Sequence, residues 1–406
     1  MRELNEWTNP NIHSSETLSV LQLCAIDGPL LPNLKSLFLW DVPGPFVPFI
    51  PLFLSPRTIC ILLAFSGPDC YKVMVASIVT TFPILCPNLQ EINLLLPTDP
   101  MVTAAVSKMI LATNPNTLQQ FRVRSPLTVE ASEVIYSLPN LHNLLAIICK
   151  GTPLSPASLP NLTELTIECD NEGDWPQLFH GATFGKLESV AFYPKSEEIG
   201  DFLGTFERVA LSSSVQNTLS KFCVAAFCSW SPNYSSLLSL THLVDLAIWF
   251  DCNGGCSSTV DDDIIINLSR AMPKLQLLEL GVRPCREFTI GITANGLVAL
   301  ALHCPDLQTL CIHIQMASLS ASPVSPRIEP TGSWTDCALV NLAVGEIPVP
   351  EESVLVVALT LLRIFPRIER INSVDDEWWE VENAIRLSKS IVGCSSKLPS
   401  LHLEIT

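Results

Sequence analysis

Apolar residues recur along this chain in one short phrase. A turn residue, usually Pro, is followed by an apolar position, two variable positions, and two more apolar positions separated by a single residue. Clear copies are LPNLKSLFL (Leu31–Leu39), CPNLQEINL (Cys86–Leu94), LPNLTELTI (Leu159–Ile167), MPKLQLLEL (Met272–Leu280) and CPDLQTLCI (Cys304–Ile312). Weaker copies place the first apolar residue at Leu118, Leu141, Leu187, Leu219, Leu243, Leu339 and Ile368, and Leu18–Leu23 and Thr58–Leu63 are marginal. The last two apolar positions of each copy alternate with period two, the pattern of a short strand with one buried face.

The spacing averages about 27 residues, inside the range of leucine-rich repeats. Positions 243, 275, 307 and 339 are evenly spaced, 32 residues apart. One such strand cannot bury its apolar face alone, whereas stacked neighbours share a continuous core. The expected fold class is therefore α/β: a leucine-rich repeat solenoid of about 14 repeats filling residues 1–406 as a single irregular domain. Parallel strands would line the concave side of an arc, with helices and irregular loops on the convex side. Helical periodicity and start signals predict helices over Asp99–Thr113, Pro126–Ser137, Glu197–Leu211, Asp261–Ala271, Thr293–His303, Glu351–Phe365 and Asp376–Val392, the last ending near Gly393. Residues 376–406 are expected to cap the array, and residues 1–16 form a polar lead. Pro-rich Asp41–Arg57 and Ser/Pro-rich Gln315–Thr335 read as loops.

Composition explains how such a chain avoids both disorder and the membrane. Of 406 residues, 48% are hydrophobic and only 16% charged, which excludes a disordered chain. Phe46–Leu54 and Val354–Leu362 are the most apolar stretches, and Pro48, Pro51 and Arg363 keep them too short to span a bilayer. The polar N-terminus carries no secretory signal, so a cytoplasmic or nuclear location is expected. Fifteen Cys without a CxxC pair read as buried thiols. The net charge of −17 argues against nucleic-acid backbone binding and for a basic protein partner.

No phosphate-binding, metalloprotease or nucleophile-elbow motif occurs, so neither a catalytic residue nor a cofactor is expected. Asp251-Cys252-x-x-x-Cys256 with Asp261–Asp263 is the most metal-like cluster, and a loop followed by a helix cap accounts for it. Asp375–Glu380, with Trp378 and Trp379, reads as the start of the capping helix. The variable positions flanking the apolar pair of each strand should face out on the concave side. Candidate partner-binding residues there are Phe38, Trp40, Arg122, Arg124, Glu164, Glu168, Tyr193, Asp245, Trp249, Glu279 and His313, since Trp, Tyr and Arg are enriched at binding hot spots.

The copies CPNLQEINL and HCPDLQTLCI, with intervening helices of the type ITANGLVALALHCP, resemble the irregular leucine-rich repeats of fungal F-box proteins. The resemblance covers residues 15–406. It implies a non-catalytic recognition scaffold that captures substrates for an SCF-type ubiquitin ligase. It also implies an F-box that docks a Skp-type adaptor, but Met1–Glu16 is too short and polar for that three-helix box, so no residue is assigned to adaptor docking. The alternative is an acidic regulator that occludes a partner enzyme, unconnected with ubiquitination.

Overall fold

Each repeat starts at its turn. The residue ahead of Pro accepts a hydrogen bond from the apolar residue three positions on: Leu34 N–H to Leu31 O (3.0 Å), Leu89 to Cys86 (3.2 Å), Leu162 to Leu159 (3.2 Å), Leu275 to Met272 (3.3 Å), Leu307 to Cys304 (3.2 Å) and Ile368 to Phe365 (3.2 Å). Proline suits the second position of such a turn because its φ is preset. One carbonyl just ahead of each strand then accepts from two consecutive N–H groups of the next repeat. Lys35 O takes Ile59 and Cys60, and Ile59 O takes Gln90 and Glu91. The same arrangement recurs at Gln90, Gln119, His142 and Thr163, and again at Ser220, Val244, Gln276, Gln308 and Val340. This forked bond fixes where each strand begins relative to its neighbour. In the Pro-Asn turns, Asn88, Asn140 and Asn161 add side-chain donations to the preceding turn at Pro56 O, Asn116 O and Pro139 O.

The computed structural model describes residues 3–5, 28–65, 71–97, 99–148, 158–169, 183–194, 217–227, 234–251, 260–281, 291–315, 337–344, 349–373 and 377–395, with Val20, Leu23, Val215 and Leu319. The chain divides into two compact units, Met1–Ile199 and Gly200–Thr406. The first holds β1 (Glu3–Asn5), β2 (Ser36–Val42), β3 (Cys60–Phe65), β4 (Glu91–Leu95), β5 (Gln120–Val123), β6 (Asn143–Ile148), β7 (Ser158–Leu159), β8 (Glu164–Cys169), β9 (Thr183–Phe184) and β10 (Ser189–Pro194). Strands β1 to β6, β8 and β10 pair in chain order and in parallel, and β7 pairs with β9. The second unit holds β11 (Lys221–Phe227), β12 (Asp245–Asp251), β13 (Leu277–Leu280), β14 (Thr309–Ile312), β15 (Asn341–Val344) and β16 (Arg370–Asn372), again parallel and in chain order. The α/β class with parallel strands is as the pattern predicts.

Register stacks the inward apolar residues into rows. In the first unit Leu37, Ile61, Ile92, Phe121, Leu144, Leu165 and Val190 lie side by side, each no more than 1% exposed. In the second, Phe222, Leu246, Leu278, Leu310 and Leu342 do the same, and Ile371 ends the row at 7% exposed. Fully burying a Leu, Ile or Phe side chain contributes about 1.5–3 kcal/mol, so these rows supply the main cohesive term of each unit.

The helices are α1 (Lys72–Val79), α2 (Phe82–Leu85), α3 (Pro100–Ala112) and α4 (Val129–Ile135) in the first unit, and α5 (Asp262–Ala271), α6 (Ala294–His303), α7 (Val354–Ile364) and α8 (Glu377–Ser395) in the second. Side-chain caps start most of the predicted ones. Asp99 accepts from Met101 N–H at 2.8 Å, Asp261 from Ile264 N–H at 2.9 Å and Thr293 from Asn295 N–H at 3.1 Å. Asp262 in turn accepts from Thr293 N–H (2.9 Å) and its hydroxyl, tying α5 to the start of α6. Of the three consecutive aspartates, Asp261 caps α5 and Asp262 holds the N-cap residue of α6.

Several expectations need correction. Most of Leu18–Leu23 lies outside the described residues, and the strand paired with β2 on its outer side is Glu3–Asn5, inside the segment expected to be a polar lead. Asp41–Arg57 is no plain loop but carries a 3₁₀ helix, Gly44–Phe53. A three-residue turn puts Pro45, Pro48 and Pro51 on the outer side, while Phe46, Val47, Phe49 and Ile50 are buried. Helices α1 and α2 were not predicted, and α8 runs past Gly393. The helix expected over Glu197–Leu211, most of the Gln315–Thr335 loop, and Cys252–Cys256 lie outside the described residues.

Helix α8 packs beside the last strand. Glu382 accepts from Ile371 N–H at 2.9 Å, Lys389 Nζ donates to Ile368 O at 2.5 Å, and Trp378 is 1% exposed. Trp379 points away and is exposed. Among the described residues, no helix is long and apolar enough to cross a membrane.

Candidate functional site: the open face of the parallel strands

The variable positions of the strands form a face opposite the buried rows. In the first unit its most prominent side chain is Trp40, 48% exposed. Parallel register between β2 and β3 shifts between Leu39 and Val42, and Asp41 takes a left-handed φ of 57°. Asp tolerates that region better than most residues. A bulge of this kind re-aims a side chain, here setting Trp40 off the regular ladder. Phe38 is half-buried beside Leu62, its register partner on β3.

The centre of this face is a polar network. Arg122 donates through Nε to Asn143 Oδ1 (2.7 Å) and through Nη2 to Glu164 Oε2 (2.9 Å), while Asn143 also donates to Glu164. Arg124 pairs with Glu168 at 2.9 Å. Both arginines start from the end of β5 and reach β8, crossing β6. Beneath them β6 presents Leu145 and Ile147, the latter 8% exposed. The methylene stems of long cationic side chains suit that covering role. Asn143 is the residue that the sequence reading missed. Its phrase is a weak copy, and nothing within it signals a bond to residues on either side. Tyr193, on β10, is half-buried in the row of Glu168.

In the second unit Lys221 and Asp245 face each other in register and pair at 3.0 Å. Trp249 on β12 donates its indole N–H to Glu279 Oε2 at 2.6 Å, and the Cys311 thiol donates to Glu279 Oε1 at 3.7 Å. Burial, then the neighbouring Glu279 carboxylate, push the Cys311 thiol up to about 12. His313 does not stand out from the face as expected. It is 6% exposed, and its Nε2 bonds Gly281 O at 2.6 Å, burial holding its pKa below the usual imidazole value. Glu168, also 6% exposed, is likewise covered. Neither presents a free side chain to a partner.

The sequence matches no protein-family model, and no curated protein matches it. The chemistry of the face is therefore read from its residues.

Among the described residues, no three His, Cys, Asp or Glu side chains converge as a metal site. Cys86, Cys304 and Cys337 are turn residues whose thiols sit in the core. Cys304 Sγ donates to Met272 O (3.6 Å) and Cys337 Sγ to Cys304 O (3.6 Å), turn to turn. Burial pushes Cys86 up to about 11 and Cys304 to about 12, so these thiols are protonated near neutral pH and unsuited to nucleophilic attack. The face thus offers aromatic side chains, ion pairs and two carboxylates, Glu91 and Glu279, held by neutral donors. Glu91 accepts from the Cys60 thiol at 3.2 Å, in register, as Glu279 does from Cys311.

Proposed function

We propose that this chain is a leucine-rich repeat protein that recognises another protein through the open face of its strands. The observation that carries the reading is Trp40, a large aromatic side chain 48% exposed on a bulge beside Phe38 and Leu62. A soluble face has no structural use for an aromatic so placed, and Trp is the residue type most enriched among interface hot spots. The repeated Pro turn and the forked carbonyl bond support the repeat assignment. The resemblance to fungal F-box proteins supplies the setting: capture of substrates for a ubiquitin ligase. The charge of −17 favours, as a second setting, occlusion of an enzyme with a basic surface.

The test is affinity capture from the source cells with the wild-type chain and with a Trp40→Ala/Trp249→Ala variant whose circular dichroism matches it. The variant should lose the specific partner. Retention of every partner by the folded variant refutes the open face as the binding surface. Co-recovery of a Skp-type adaptor and a cullin selects the ligase setting, and recovery of an enzyme whose activity falls on binding selects occlusion.

A further inference from the structure

We infer that Trp249 and Glu279 form a docking point for one basic side chain, Arg or Lys, of the protein partner. The inference rests on the recognition reading above and adds the chemistry of the residue recognised. Glu164 (2.9 Å), Glu168 (2.9 Å) and Asp245 (3.0 Å) on the same faces each meet a cation, whereas Glu91, like Glu279, is held by a thiol. Glu279 meets no cation among the described residues. Its two bonds come from an indole N–H at 2.6 Å and a thiol at 3.7 Å, both neutral donors. They hold the carboxylate in place without compensating its charge.

A carboxylate has about four lone-pair sites, so capacity remains for a charged donor after these two bonds. The indole beside it adds a second attraction, because a cation near a Trp face is stabilised by the ring quadrupole. Trp249 and Glu279 are both half-buried, which screens such contacts less than open water does. Glu279's register neighbours, Ala247 and Cys311, are both short side chains. An anionic group would be repelled by Glu279 and by the charge of −17.

The probe is a fluorescein-labelled peptide of alternating Gly and Arg, about twelve residues long, with a Gly–Lys counterpart, titrated by anisotropy against the full chain at physiological salt. Glu279→Gln keeps an acceptor for the indole and removes one charge. It should weaken binding about tenfold, the worth of one charge-assisted hydrogen bond. Trp249→Leu should weaken it several-fold. Glu130→Gln, on the exposed side of α4, removes one charge elsewhere and should change binding less than twofold. Equal losses from Glu279→Gln and Glu130→Gln, or no binding of either peptide to the wild type, overturn the inference. If partner capture still fails in the Trp40→Ala/Trp249→Ala variant, the recognition reading survives that result. A selective Glu279 effect with undiminished partner capture has the opposite meaning: the docking point exists, and the recognition reading is wrong.

Discussion

Arg122 can be tested as a structural hub by a set of substitutions whose outcomes differ in size. Its contact with Glu164 is short, 2.9 Å, but the two side chains are 42% and 51% exposed. Exposed ion pairs contribute about 0.2–1 kcal/mol. Its contact with Asn143 is also short, 2.7 Å, but Asn143 is only 8% exposed. A hydrogen bond from a charged donor to a covered acceptor contributes about 1.5–3 kcal/mol, and breaking it strands the amide oxygen. Arg122→Met keeps the stem over β6 and removes both contacts, so it should cost about 2–3 kcal/mol. Glu164→Gln should cost under about 1 kcal/mol. Urea unfolding followed by far-ultraviolet circular dichroism gives each value, and double-mutant cycles give the couplings. The Arg122–Asn143 coupling should exceed the Arg122–Glu164 coupling and be nearly independent of salt. An Arg122–Glu164 coupling that is the larger of the two, or that carries the whole effect at low salt, refutes this ranking. If the ranking holds, Arg122 acts mainly within the molecule, and its loss should weaken partner capture less than loss of Trp40.

Three further outcomes follow from burial. Trp378→Ala should destabilise the second unit by about 3–5 kcal/mol, the usual cost of a large core truncation, read as a lower urea midpoint. Cys86 and Cys304 should resist a disulfide reagent at pH 8 in the native chain and react at once in urea. Their folded pKa values, about 11 and about 12, lie above the ordinary 9.0, so the folded state holds its protons longer and stability should fall as pH rises beyond about 9. His313 and His303 are held below the ordinary 6.5, mainly by burial, so the unfolded chain takes up protons first and stability should decline as pH falls below about 6.5. A His303→Gln/His313→Gln variant should flatten the melting temperature between pH 7 and pH 5, and an unchanged slope would place the titration elsewhere.

The two marginal copies show which part of the repeat was legible. Thr58–Leu63 lacks a leading Leu, yet it opens β3. Thr58 N–H bonds Ser55 O at 2.9 Å in the same Pro turn, and the Thr58 hydroxyl donates to Leu34 O at 3.1 Å. Ser55 and Thr58 are 1% and 0% exposed, so satisfied hydroxyls replace two apolar residues in the core. Leu18–Leu23 has the apolar spacing but no Pro turn, and most of it lies outside the described residues. In the Thr58 copy the turn, which is local chemistry, carries the signal that the missing Leu does not. Helix α1 was missed for a related reason: its N-cap, Tyr71, makes no side-chain capping bond, and its run of Val and Ile reads as strand until tertiary packing decides. Facing positions were legible from period two alone. Which of them are engaged within the molecule was not, because Arg122 meets Glu164 across an intervening strand, 42 residues along the chain.

Pairing across strands changes what the net charge means for binding. A charge of −17 spread evenly would attract any basic surface and select none. On the open faces, however, Glu164, Glu168 and Asp245 are each matched by a cation, so their fields are local. Glu91 and Glu279 meet no cation among the described residues, and each is held by a cysteine thiol from the neighbouring strand. A thiol donor steadies a carboxylate without cancelling its charge. The same in-register device therefore holds a carboxylate without a cation from the described residues in each unit, and Trp249 is added only at Glu279. Electrostatic attraction then brings a basic partner to the chain, whereas the indole and its carboxylate decide where one side chain of that partner stops.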